Sequence, residues 1–334
     1  MAPYAGVLDV VARVARVVSE ELAFRGCDCI LFSGGVDTSF VALSHALYGG
    51  GFERGVCVCS RDSPDYEFAV WASERLGLRL TVWDPRRHLG VLWRVVESVV
   101  LWLETIDPVE VAAYAAVLAG LVVAKSLGCR CVATGDGGDE LFLGYSFLHR
   151  LDPEGLEEWR RRVEAGGAVF QAPRLAGLAG VSVALPLYSE GVRRLAGLLA
   201  TEELLEPFQP GAPVGKAPLR LFLHLHGLSR VAFRLKTPVT SGSGLLELLE
   251  EAHCSRPMSS APWLPSTLHA ILQRVVEEAG LNLPVKCRDP ERRCPVCGSC
   301  MRGRHCPYCG AHVSKGLLSV YRPRIACTVS GGPG

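Results

Sequence analysis

The apolar run Cys29-Ile30-Leu31-Phe32 breaks into Ser33-Gly34-Gly35-Val36-Asp37-Thr38-Ser39, then resumes as Phe40-Val41-Ala42-Leu43 at helical spacing up to Gly49. That pattern leaves few architectures open: a buried strand, a tight loop, and a helix whose amino end faces back across the loop. Gly34 and Gly35 carry no Cβ, so backbone N–H groups can close on an anion, and the helix start adds unpaired donors and a positive dipole end. Ser33 and Ser39 supply hydroxyls. The stretch reads as a phosphate cradle. A carboxylate facing phosphate is repulsive unless a cation stands between them, so Asp37 is expected to bind Mg²⁺. No G-x-x-x-x-G-K-[ST] loop occurs, and its phosphate-seeking Lys is missing. The cradle is therefore expected to hold a pyrophosphate leaving group rather than to transfer a γ-phosphoryl group.

Around this loop the chain alternates. Residues 7–24 keep the spacing of an amphipathic helix, and 55–60 form a second strand. Ser63-Pro64 caps a helix that Gly77 ends, and 78–83 form a third strand. A variable connection through His88 and Trp102 reaches Asp107-Pro108, a buried helix over 109–127 and a fourth strand over 129–134. Strands alternating with helices predict an α/β fold, a doubly wound parallel sheet that binds ligands at the carboxyl ends of its strands. At one such end lies Thr134-Gly135-Asp136-Gly137-Gly138-Asp139-Glu140-Leu141-Phe142-Leu143-Gly144-Tyr145. Acids among glycines there suit a divalent cation and phosphate, because small residues let backbone and ligand come close. Further on, 151–250 reads as helical, with a proline-rich loop at 207–218 over the site. A 255–265 linker precedes a helix capped by Ser266 and stopped by Gly280.

A net charge of +1 argues against a nucleic-acid surface spread over the whole protein. The longest uncharged run in the apolar middle, 111–124, is shorter than the ~20 residues a membrane span needs, so no membrane association is expected. Met1-Ala2-Pro3-Tyr4 lacks a secretory pattern, so the expected compartment is cytoplasmic. There, 14 cysteines suggest metal more than disulfides. The Cys-x-Cys pairs 27/29, 57/59 and 129/131 stand at predicted strand starts, where alternate residues share a face; buried free thiols are the expectation, with disulfides or a second metal as alternatives. Basic residues are nearly all Arg, with Lys only at 125, 216, 236, 286 and 315, which makes each Lys a candidate for a specific role.

Ser33-Gly34-Gly35-Val36-Asp37-Thr38-Ser39 resembles the loop of the ATP pyrophosphatases, of the adenine nucleotide α-hydrolase-like fold. Together with the 134–145 loop it resembles the synthetase domain of asparagine synthetases and β-lactam synthetases. The similarity extends through Asp65-Tyr66-Glu67, Asp107-Pro108, 180–187, Lys216-Ala217-Pro218-Leu219-Arg220, Arg234-Leu235-Lys236 and Gly242-x-Gly244. The resemblance implies ATP and Mg²⁺, with Ser33, Gly34, Gly35, Asp37, Thr38, Ser39 and Gly135 binding ATP or pyrophosphate and Asp37 and Asp139 holding Mg²⁺. Strand 55–60 would line the adenine pocket. Lys236 and Asp136 would be catalytic, Lys236 stabilising charge as a nucleophile attacks an acyl-adenylate. The implied reaction forms an amide from a small carboxylate. Asp136 stands where asparagine synthetases place Glu, and Ser189 where they place an acid, which leaves the substrate open. Residue 2 is Ala, not a nucleophilic Cys, so ammonia is expected from solution or from a separate supplying subunit. Two alternatives are a tRNA- or nucleobase-modifying enzyme and a non-catalytic nucleotide sensor.

Cys294-Pro-Val-Cys297-Gly and Cys306-Pro-Tyr-Cys309-Gly are two knuckles of one form and resemble a zinc ribbon, with Zn²⁺ on those four thiolates. Cys287, Cys294, Cys297 and Cys300 also resemble the zinc site of 7-cyano-7-deazaguanine synthases, and an iron–sulfur cluster is a further option. Lys286, Arg288, Arg292, Arg293, Arg302, Arg304, Lys315, Arg322 and Arg324 make the tail basic and raise RNA contact as a second role. The expected division is 1–250 for ATP chemistry, 251–284 as linker and helix, and 285–334 as metal module, with ATP binding surviving metal removal.

Overall fold

The computed structural model describes residues 4–252, 255–314 and 316–323; of the residues singled out above, Met1-Ala2-Pro3, Lys315 and Arg324 lie outside that set. Helix α1 (Ala5–Arg25) buries Val7, Val11, Val14, Val18 and Leu22 along one stripe and stops at Gly26, whose left-handed conformation suits a residue without Cβ. Then β1 (Cys29–Leu31), α2 (Val36–Tyr48), β2 (Arg54–Val58), α3 (Pro64–Arg75) and β3 (Arg79–Trp83) alternate along the chain. They are followed by α4 (Leu89–Leu103), α5 (Pro108–Ser126), β4 (Cys131–Ala133), the one-turn α6 (Gly138–Leu141) and, two helices later, β5 (Ser182–Ala184).

The five strands form one sheet in the order β3-β2-β1-β4-β5, and every pairing is parallel. The chain adds β2 and β3 on one side of β1, then crosses over to add β4 and β5 on the other. That reversal is the doubly wound arrangement, and it opens a crevice at the carboxyl ends of β1 and β4. The loops of both motifs leave the sheet at those two ends. The sequence pattern does not announce β5: three residues long, it takes its place by pairing Cys131 with Ser182 and Ala133 with Ala184.

By backbone contacts the chain groups into two units, Met1–Trp83 with Gly120–Pro238, and Asp84–Ala119 with Val239–Gly334. This grouping cuts across the boundaries expected at 250 and 284. The first unit holds the sheet and a core that includes Ile30, Phe32, Phe40, Phe142 and Phe222, with the rings of Phe40 and Phe222 edge to face at 5.3 Å. In the second, the stretch expected as a variable connection is the helix α4, which packs against helix Thr267–Glu278. Leu92, Val96, Val99 and Val100 are buried on the former, and Leu268, Ile271, Leu272 and Val276 on the latter. Ser266 caps that second helix, its hydroxyl accepting from the His269 N–H, and Gly280 follows its end in the left-handed region, as the sequence pattern predicts.

α5 is long and apolar enough to cross a membrane by length and composition, and half of that stretch is buried inside the protein. The cysteine expectation needs correction. Cys27 is bonded to Cys131 and Cys29 to Cys129, joining the amino ends of β1 and β4, whereas Cys57 and Cys59 stay free and buried. The Cys-x-Cys spacing puts both members of each pair on one strand face, and adjacency of β1 and β4 sets two such faces together.

Candidate functional site

In the loop after β1, Gly34 has φ 64° and lies so close to the backbone of Phe68 and Ala69 that a Cβ would overlap it. Glycine is required there by both conformation and space. Gly35 is the N-cap of α2, and its N–H donates to Ser33 Oγ at 3.2 Å. Asp37 follows in the first turn of α2, where the helix dipole favours a carboxylate. The β4 loop closes over it from the other strand. A Cβ on Gly138 would collide with the Asp37 carboxylate, and one on Gly135 would come to 3.0 Å from Asp37 and Thr38.

Lys216 sits between the acids. Its Nζ is 2.5 Å from Asp37 Oδ2 and 2.7 Å from Asp139 Oδ1, and the side chain is almost fully buried. Lys236 approaches from the solvent side, paired with Asp139 Oδ2 and 5.0 Å above the Tyr145 ring. Burial pushes the Asp37 carboxyl above the ordinary range, more than Lys216 lowers it, and Asp139 adds to the rise. For Asp139, burial also acts upward, but Lys216 and Lys236 together hold it below the ordinary value. The two carboxylates in turn raise the Lys216 ammonium against the opposing effect of burial. The cluster is thus a charged one, with the cation already built between its acids.

Asp136 differs in kind. It accepts from Thr134 Oγ1 at 2.9 Å, and burial, reinforced by Glu140, Asp37 and Asp139, raises its carboxyl to about 6 despite that hydrogen bond. Glu140 is held by the Gly137 N–H at 3.1 Å and the Tyr145 hydroxyl at 2.6 Å, which fixes the turn carrying Asp139.

Sequence alone does not mark Lys216 as a site residue, because the segment that delivers it is remote from both loops, and its only sequence signals are the scarcity of Lys and its place in a segment that matches the family. The segment 207–218 is indeed a loop up to its last residues, and Lys216 takes a left-handed conformation (φ 56°), unusual for a residue with a side chain. Its N–H donates to Phe142 O at 2.8 Å, which pins that conformation to the β4 loop. Buried Arg220 ties the same turn to the next segment, donating to Gly215 O, Ala232 O and Arg234 O. Arg234 pairs with buried Asp65 and reaches Ser33 O at 3.2 Å, so the Arg234-Leu235-Lys236 stretch is anchored to the phosphate loop.

The donor set fits a divalent cation and phosphate. Asp37 Oδ1 and Ser39 Oγ are buried without a hydrogen-bond partner in the protein, one an acceptor for a cation and the other a hydroxyl for an anion. In the second unit, Cys294, Cys297, Cys306 and Cys309 bring their sulfurs within 4.8 Å of one another, while Cys287 is bonded to Cys300. The alternative ligand set of Cys287, Cys294, Cys297 and Cys300 is therefore not assembled.

The family model described as asparagine synthase matches residues 12–219. The chain is 31% identical over 135 residues to a glutamine-hydrolyzing asparagine synthetase of Asparagus officinalis, covering 36% of this chain and 22% of that protein. It is 31% identical over 149 residues to glutamine-hydrolyzing asparagine synthetase 3 of Arabidopsis thaliana, and 30% over 152 residues to the root enzyme of Pisum sativum. Both of those matches cover 41% of this chain and 25% of the relative. The chain thus spans about a quarter of the length of the curated relatives it matches.

Proposed function

The chain belongs to the asparagine synthase family, and on that premise we propose that it uses Mg²⁺·ATP to activate a small carboxylate and pass it to ammonia or another amine, releasing AMP and pyrophosphate. The observation that carries this reading is the pair Asp37 and Asp139, delivered from adjacent parallel strands to one crevice, with Lys216 between them and Asp37 Oδ1 and Ser39 Oγ left without partners. Mg²⁺ on Asp37 and Asp139 would neutralise the charge that builds on the pyrophosphate as it leaves.

The protein's own groups divide the rest of the work. The Gly34-Gly35 turn and the amino end of α2 orient the phosphates, helped by Ser33, Thr38, Ser39 and Gly135. Lys216 keeps the two acids apart and in place and meets the β and γ phosphates as a point charge. Lys236, on the open side, is placed to stabilise the oxyanion that forms when the amine attacks the acyl-adenylate. Asp136, with a carboxyl at about 6, is ionised near neutral pH and basic enough to take the proton that the amine gives up. Its short side chain reaches less far than the Glu the family places there, so the acceptor carboxylate need not be aspartate.

Phosphorus NMR on the protein with Mg²⁺·ATP, ammonium and a panel of amino-acid carboxylates tests the proposal. AMP and pyrophosphate appearing only with one carboxylate is the expected result. ADP with orthophosphate would overturn it. Arg288, Arg302 and Arg304, exposed on the second unit, favour one competing reading, activation of a base in tRNA. ATP–pyrophosphate exchange that depends on tRNA and not on any carboxylate would establish that reading instead, and nucleotide binding without turnover would make the protein a sensor.

A further inference from the structure

The two cysteine knuckles lie outside all of this chemistry and are built as near copies. In the first, the Gly298 N–H donates to Cys294 O at 3.0 Å and the Cys294 N–H to Ser299 O at 2.8 Å. In the second, the Gly310 N–H donates to Cys306 O at 3.0 Å and the Cys306 N–H to Ala311 O at 2.8 Å. Gly298 (φ 80°) and Gly310 (φ 71°) supply the left-handed turn that each knuckle needs. Facing each other, the knuckles set Cys294 Sγ 3.7 Å from Cys309 Sγ and Cys297 Sγ 3.5 Å from Cys306 Sγ. These sulfurs are neither bonded, as Cys287 and Cys300 are, nor in ordinary apolar packing. A tetrahedron of thiolates around a zinc ion, with Zn–S of about 2.3 Å, has edges of about 3.8 Å. All four cysteines are buried, none more than 2% exposed; beside one another their sulfurs meet the Ser299 hydroxyl, 3.1 Å from both Cys297 Sγ and Cys306 Sγ, and four thiolates so gathered are matched by one cation at their centre.

We propose that Cys294, Cys297, Cys306 and Cys309 hold one structural Zn²⁺, and that this ion secures the whole second unit rather than the tail alone. Zinc is favoured over ferrous iron because first-row affinities rise toward the end of the series. Four protein ligands close the shell and leave no position for a reacting water.

The wider role follows from what the second knuckle grips. Its Tyr308 O accepts from the Ile106 N–H at 2.7 Å, and its Pro307 O from Thr105 Oγ1 at 2.9 Å, so it seats the turn between α4 and α5. The Tyr308 hydroxyl donates to Gln273 Oε1 at 2.7 Å, and Cys309 O meets His269 Nε2 at 3.2 Å, which joins the knuckle to helix Thr267–Glu278. Gly310 lies so near the Asp107 carboxylate that a Cβ would overlap it. A knuckle that loses its ion loses its shape, and these bonds start from its backbone.

Metal analysis of the purified full-length protein should find one zinc per chain, absent from a Cys306→Ser/Cys309→Ser variant and kept by a Cys287→Ser/Cys300→Ser variant. Should the first variant not fold, stepwise thiol titration of the wild-type protein gives the same information: zinc leaves as those four thiols react. Chelated wild-type protein should also be cut faster by protease within 84–119 as well as within 285–323. Iron in place of zinc, no metal, or zinc lost only from the Cys287/Cys300 variant overturns the site. Proteolysis confined to 285–323 overturns the wider role. None of these readouts depends on the ATP chemistry.

Discussion

Replacing Asp136 by Asn should make the protein more stable and less active at once, and the first effect should depend on pH. The Asp136 carboxyl is raised from 3.8 to about 6. Between those values the folded protein holds a proton that the unfolded chain has released, so folding stability falls as pH rises through the window. A tenfold change in proton affinity is worth about 1.4 kcal/mol, which makes the ionised side chain a liability of about 3 kcal/mol above pH 6. Asn keeps an oxygen for the Thr134 hydroxyl and cannot ionise. Urea unfolding in EDTA should therefore show the variant more stable by about 3 kcal/mol at pH 7.5 and by only about 0.5 kcal/mol at pH 4. Amide synthesis should fall by about 10²-fold or more, the usual contribution of a general base. A stability difference that is the same at both pH values, or a variant that is less stable at pH 7.5, would refute the placement of a destabilised carboxylate at this position.

Lys216→Met leaves Asp37 and Asp139 facing each other without the cation between them, and should lower stability in EDTA by about 3–5 kcal/mol, with millimolar Mg²⁺ restoring part of it; equal denaturation midpoints in EDTA would contradict this. Lys236→Met removes an ion pair at the open side and should change stability by less than about 1 kcal/mol while reducing turnover by about 10²–10³-fold. Comparable losses of stability and activity would assign Lys236 to the fold instead. The Cys27–Cys131 and Cys29–Cys129 bridges close nearly the same loop, 104 and 100 residues apart in sequence. Removing either pair by Ser substitution should therefore have little effect and removing both should lower stability by about 4–5 kcal/mol, measured by thermal unfolding of the three variants beside the wild type, because reductant would also open Cys287–Cys300.

The loops around Asp37 and Asp139 are legible in the sequence because their requirements are local. Glycine spacing, an acid in the first helical turn and an apolar strand all lie within a dozen residues of each other. Lys216 stands out in the sequence only as part of a matching segment, since what gives it a role is a contact across 179 positions with Asp37 and a backbone conformation that its residue type does not announce. α4 reads as a variable connection because exposed apolar Leu89, Val91 and Trp102 obscure the edges of the polar face that Arg94, Glu97 and Ser98 mark, and packing against Thr267–Glu278 shows which face is inward. The Cys-x-Cys pairs show the same limit: spacing puts two thiols on one face, but whether they meet partners depends on which strand lies next to β1.

Those paired bridges also determine how the chain carries load. Tension applied at its two ends passes from Cys27 to Cys131 directly across the sulfur bonds, bypassing residues 30–128. The phosphate loop at 33–39 is enclosed in that unloaded segment, whereas the 134–145 loop and Lys216 lie on the stretched path outside it. Pulled from its termini in an oxidising buffer, the chain should therefore lengthen without drawing out residues 30–128, and the longer extension should appear only in reductant. In reductant the same pull is shared by both halves of the site.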